Sequence, residues 1–114
     1  MESILYTIKK MIGLEPDYDV FDQHLIVLIN AAFFELYQLG VHSDSVFKIT
    51  DEKDSWDDFG SYEFMDAVKT FIYLKTLRSF DSPTSSVLVN TIDKELNDLQ
   101  FRLMVESDDY ESRT

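Results

Sequence analysis

The sequence predicts an all-α fold, and three observations carry that prediction. Apolar side chains recur at spacings of three and four through four separate stretches, the mark of helices that bury one face. The three glycines and two prolines stand between those stretches, where they end helices rather than kink them. Period-two alternation, the mark of a strand, shows weakly and only over Val46–Thr50. At 114 residues the chain fits one domain. The expectation is a small four-helix domain over residues 1–105. It has a long acidic loop between the second and third helices and a flexible acidic C-terminal tail over residues 106–114.

The first helix is expected over Ser3–Ile12. Ile4, Ile8, Met11 and Ile12 share a face with Leu5 beside them, and Gly13 follows as a stop. Pro16 cannot continue a helix, so Glu15–Tyr18 reads as a connector. Asp19 is a candidate N-cap for the next helix, and Asp22 adds favourable charge to its first turn. That second helix, Val20–Leu39, has the clearest pattern: Phe21, Leu25, Leu28, Ile29, Ala32, Phe33, Leu36 and Leu39, widened by Ile26 and Tyr37. A helix this apolar has more than one face to bury, so it is a central core helix with part of its stripe available as an interface. Ala31–Ala32 marks a point of close approach, and Gly40 ends the helix.

Val41–Gly60 breaks the period. It carries six acidic residues (Asp44, Asp51, Glu52, Asp54, Asp57, Asp58) against two lysines. A loop of roughly 20 residues is long for a compact domain, and such loops tend to be functional or mobile. Val46–Thr50 within it reads as a short strand or extended arm. Phe47, Trp56 and Phe59 are either pins onto the core or contacts for a partner, with pinning favoured for Trp56. The third helix, Ser61–Arg78, has Ser61 as N-cap and aligns Phe64, Val68, Phe71, Ile72 and Leu77, broadened by Met65 and Leu74. Ser82 is a candidate cap for a fourth helix, with Pro83 at its first position, where a missing N–H is harmless. That helix, about Thr84–Val105, aligns Leu88, Ile92, Leu96, Leu99 and Leu103. Asp98 and Arg102 stand four apart in it, a spacing that suits a weak ion pair. The remaining nine residues have no apolar period.

The charge is uneven in sign: 10 basic and 22 acidic side chains give −12. No basic face is available to displace phosphate counterions, which argues against ordinary nucleic-acid binding. No cysteine means no disulfide framework and no thiolate metal site. The longest apolar run, Leu25–Ile29, is far below the roughly 20 residues needed to span a bilayer. Lys9 and Lys10 directly after Ile8 interrupt any signal-peptide core. A soluble chain made in the cytoplasm is the expectation.

Catalytic chemistry finds little footing. The two histidines, His24 and His42, have no nucleophile motif around them, and no G-x-S-x-G elbow occurs. An EF-hand register started at Asp51 places Lys53 at position 3, Trp56 at position 6 and Tyr62 at position 12, so the calcium pattern fails. The glycines are too far apart to cradle a phosphate. Neither an enzyme nor a metal or cofactor is expected, and an interaction protein is.

Several segments then stand in a distinctive order. Phe21–Ala32 leads into Leu36-Tyr37-Gln38-Leu39-Gly40-Val41. Phe47-Lys48-Ile49-Thr50 leads to Trp56-Asp57-Asp58-Phe59. Val68–Lys75 is followed by Phe80-Asp81-Ser82-Pro83, and Glu95-Leu96-Asn97-Asp98-Leu99-Gln100-Phe101-Arg102-Leu103 closes the set. This order resembles the head–tail connector (adaptor) proteins of long-tailed bacteriophages, over roughly residues 4–104. The resemblance implies a structural virion protein of the phage neck. It would form a homo-oligomeric ring of about twelve copies, with heterologous contacts between neighbours. The ring would dock beneath the portal protein, extend the DNA channel, and bridge to the next neck (stopper) or tail-completion protein. Double-stranded DNA would pass through without sequence-specific binding, and no membrane is involved.

Within that reading Phe47, Trp56, Phe59, Arg102 and Tyr110 are candidate subunit or partner contacts. Asp51, Glu52, Asp54, Asp57 and Asp58 are candidate loop contacts or channel charges, where a negative wall would let DNA slide. The alternative is an acidic DNA mimic or inhibitor of a basic partner. Ten of the 22 acids fall in the loop and tail, six and four, which makes a poor rigid array for a mimic.

Overall fold

The computed structural model describes residues 2–41 and 45–113, with side chains through Asp108. His42 and Asp44 lie outside the described residues, as does the side chain of Tyr110. Among the described residues the chain forms five helices and no strand: α1 (Ile4–Met11), α2 (Asp22–Gln38), α3 (Trp56–Phe59), α4 (Met65–Phe80) and α5 (Ser86–Arg113). The all-α expectation holds. The four-helix expectation is corrected by α3, a single turn inside the long loop, too short to register as a period.

α4 is the central helix. α2 packs on it from one side and α5 from the other, α1 lies against α2 and α4, and α2 and α5 scarcely touch. The Cα trace is a slab of 42 × 35 × 19 Å. One core runs through it: Ile4 and Ile8 of α1, Leu25, Ile29, Phe33 and Leu36 of α2, Val68, Phe71 and Ile72 of α4, and Leu96, Leu99 and Leu103 of α5. An ion pair clamps α4 to each neighbour, Lys75 to Glu35 of α2 at 2.9 Å and Arg78 to Asp93 of α5 at 3.1 Å.

Helix ends follow local chemistry, and several differ from the sequence reading. Ser3 caps α1 by accepting from the Tyr6 N–H, and Gly13 and Gly40 take the positive φ that ends a helix. Asp19 does not cap α2. Its carbonyl accepts from the Asp22 N–H in a turn, α2 begins at Asp22, and no side chain caps it. Ser61 does not cap α4, which starts at Met65. Ser82 is engaged by Arg78 at 2.9 Å, so Ser85 takes its place and accepts from the Leu88 N–H. Helical backbone continues past Val105 to Arg113, through most of the acidic segment 106–114. The backbone hydrogen bonds of α5 persist where the apolar period fades.

Candidate interaction surfaces

The long loop is tied to the body of the protein at four points. The side chain of Asn30 on α2 pairs with the backbone of Ile49 in both directions: its amide donates to the carbonyl at 3.0 Å and its oxygen accepts from the N–H at 2.8 Å. Val46–Thr50 is thereby an extended arm held by a side chain, not a strand. An isolated antiparallel bridge joins Ser3 to Ser55, with Ile4 N–H donating to the Asp54 carbonyl and Trp56 N–H to that of Glu2. The Trp56 indole N–H donates to the Thr7 hydroxyl at 3.1 Å. Finally, Phe33 of α2 collects the loop's aromatic rings, with centroids 4.9 Å from Phe47, 5.1 Å from Phe59 and 6.3 Å from Trp56.

These contacts locate the first group of candidates. Trp56 and Phe59 are buried, at 4% and 2% exposure, and Phe47 is half-buried against the same cluster. All three rings pack on the subunit's own core.

The acidic candidates divide by what their carboxylates touch. Asp54 accepts from the Thr50 N–H at 2.7 Å, the Thr50 hydroxyl at 3.2 Å and the Asp51 N–H at 3.3 Å. These bonds, led by the Thr50 N–H, outweigh partial desolvation and hold its carboxyl below the ordinary range. Asp58 completes a capping box with Ser55 at the start of α3. Asp51 accepts from the Lys53 N–H at 2.8 Å. These three shape the loop, Asp58 while remaining exposed; Glu52 and Asp57 are exposed as well.

Two features escaped the sequence reading. Lys9 is fully buried, and its ammonium reaches the carbonyls of Pro16 and Tyr18 and the carboxylate of Asp22. A lysine next to another lysine gives no local sign of burial. The second feature is Asn30, whose polar side chain on an apolar helix was the available signal.

The outward faces of α2 and α5 are apolar in part. On α2, Val27 (64% exposed) and Phe34 (46%) flank exposed Ala31 on the side opposite the core. On α5, Phe101 (68%), Met104 and Val105 are exposed. Leu88, expected in the core stripe, is exposed as well, because it lies in the first turn of α5. Arg102 forms no ion pair with Asp98 among the described residues. With Glu63, Phe64, Asp66, Ala67 and Glu106 it lines an open cleft of about 320 Å³ between α5 and the start of α4.

A family model described as phage connector protein matches residues 4–110. The chain belongs to the phage connector protein family. No curated protein and no solved structure gives a significant match. The match ends at residue 110, within α5. Membership assigns a structural connector role in the virion. Among the described residues, no helix of this connector is long and apolar enough to cross a membrane.

Proposed function

We propose that this connector forms a ring of about twelve copies in the phage neck, docked beneath the portal protein, around a channel through which double-stranded DNA moves. The ring bridges to the next neck or tail-completion protein, and it acts by assembly rather than by chemistry. The family match over residues 4–110 carries this reading. The slab shape supports it, since a ring subunit needs two different surfaces on opposite sides.

The charge of −12 has a role in this setting. Carboxylates facing a channel repel DNA phosphates and keep the duplex sliding. Glu52 and Asp57 are suited to it, being exposed on a loop fastened at both ends. An image reconstruction of the isolated neck tests the proposal. A closed ring of this chain against the portal is the expected result, and its absence from the neck would refute it. Unchanged DNA retention and ejection after Glu52→Gln and Asp57→Asn together would remove the electrostatic part.

A further inference from the structure

A cluster of aromatic rings forms where the α1–α2 connector, the start of α2 and the end of α4 come together. Ring centroids lie 6.0 Å apart for Tyr18 and Phe21, 5.2 Å for Phe21 and Phe80, and 5.8 Å for His24 and Phe80. The first two pairs meet edge to face, so in each pair one ring keeps its faces clear of the other. Phe80 is half-buried and anchors the cluster to the core, while Tyr18 is 46% exposed, Phe21 38% exposed and His24 exposed. The fold uses Tyr18 through its carbonyl, which accepts from the Lys9 ammonium and which any residue supplies. The exposed ring is surplus to that contact.

Carboxylates flank these rings. Asp17 and Asp19 adjoin Tyr18 in the chain, Asp81 adjoins Phe80, and the Glu15 carbonyl accepts from the Tyr18 N–H; all four acidic residues are exposed. Among the described residues none of the four pairs with a lysine or arginine. The nearest cations in the chain are Lys9, Lys10 and Arg78. Lys9 is committed to Asp22, and Arg78 to Asp93 and the Ser82 hydroxyl. That leaves Lys10, exposed on α1, against four carboxylates.

We propose that this corner, centred on Tyr18, Phe21 and Phe80, is a docking site for an arginine-bearing basic segment of another protein. A guanidinium stacks its plane on an aromatic face and turns its N–H fork to a carboxylate, and the corner offers both groups side by side. The charge of the rim selects a basic partner, and exposed aromatic rings are the anchors such contacts use. A second copy does not bring this chemistry. Two chains of −12 repel, Lys53 and Lys94 each lie between two acidic residues, and Arg102 shares its cleft with Glu63, Asp66 and Glu106. Of the described cations outside ion pairs there remain Lys10 and Lys48, which lack the planar fork. That the partner is a neighbour in the neck rests on the connector reading above; the contact itself does not.

The isolated full chain tests it by NMR of its backbone amides and aromatic rings. The probe is a short Gly-Arg repeat peptide, acetylated and amidated, and its control is the same peptide with citrulline in place of arginine. Saturable shifts at Tyr18, Phe21, His24 and Phe80 are expected with the arginine peptide and none with the citrulline peptide. Tyr18→Ala is expected to weaken binding about tenfold, the order of one desolvated cation–π contact, with the Tm held within about 4 °C. Asp17→Asn and Asp19→Asn together, at exposed positions, are expected to weaken it as well. Shifts centred on Glu52 and Asp57, equal binding of the two peptides, or unaltered binding by Tyr18→Ala overturn the assignment. Concentration-dependent shifts of the same rings without peptide overturn it in favour of a second copy. Each of these results leaves the ring reading standing, which falls only if necks lack this chain.

Discussion

Lys9 and Asp22 fix the corner between α1 and α2: the buried ammonium lies 2.8 Å from the carboxylate and donates to the carbonyls of Pro16 at 2.8 Å and Tyr18 at 2.7 Å. The two carbonyls take hydrogen bonds and the carboxylate balances the charge. The Glu15–Val20 connector thus folds around a cation supplied by the preceding helix.

Replacing Lys9 by Met strips three acceptors of their partner. The expected loss is about 3 kcal/mol, since removing one member of a buried pair leaves the other uncompensated. Asp22→Asn keeps an oxygen at the same place and both carbonyl bonds, so about 1 kcal/mol is expected. Urea unfolding checks both, with the midpoint falling and the m-value unchanged. Equal losses for the two variants would mean that the carbonyl contacts contribute little.

Asn30→Ala removes both hydrogen bonds to the Ile49 backbone. Ile49 is itself buried, so its N–H and carbonyl are left without partners at a cost of about 2 kcal/mol. Hydrogen exchange should show the Ile49 amide losing protection before the α4 amides do. Retained protection at Ile49 would show that the arm is held by the Phe47 and Phe59 rings alone.

Trp56 combines ring packing with a polar tether, and two variants separate them. Trp56→Phe keeps most of the ring volume and loses the bond to Thr7, for about 1 kcal/mol. Trp56→Ala empties the site under the loop and is expected to cost about 3–5 kcal/mol. Thermal or urea unfolding of the pair gives the comparison.

Asp54 predicts an acid limit for the loop. Its carboxyl is held below the ordinary value by the Thr50 and Asp51 donors, so the folded state favours the ionised form. The resulting stabilisation is present above the unfolded value of about 3.9 and fades as pH falls through the lower folded value. In Asp54→Asn the part of the acid sensitivity due to this group should vanish, measured as a shallower loss of stability between about pH 5 and 3. An unaltered pH profile would rule out this origin.

Assembly should depend on salt in the direction opposite to that of a nucleic-acid binder. Packing subunits of −12 together concentrates negative charge, and counterions relieve it. The screening length is about 30 Å at 0.01 M salt and about 8 Å at 0.15 M. Purified necks dialysed to low ionic strength should therefore lose connector subunits, as read by sedimentation. Stable rings at 0.01 M salt would show that basic neighbour surfaces already neutralise the charge.

Much of the fold was legible in the residue pattern. The periods through Leu25–Leu36, Val68–Ile72 and Leu96–Leu103 marked the helix faces that form the core, because helical periodicity is a local property. The order of segments from Phe21 to Leu103 led to the connector family for the same reason. Helix starts were less legible. Asp19, Ser61 and Ser82 are all competent caps, yet neighbouring turns and the Arg78 side chain decide otherwise.

The all-α class, the principal helices, the acidic character and the family all reside in composition and local spacing. Packing of the helices buries Lys9, sets Asn30 against Ile49, and carries Trp56 and Phe59 into the core. The tertiary structure also shows that Asp54 and Asp58 shape the loop by accepting backbone N–H bonds. The partners of Lys9, Asn30 and Trp56 lie far from them along the chain. Lys9 meets Tyr18 across a turn, Asn30 meets Ile49 across nineteen residues and Trp56 meets Thr7 across forty-nine. Such partners are chosen by how helices pack, and no local period encodes them.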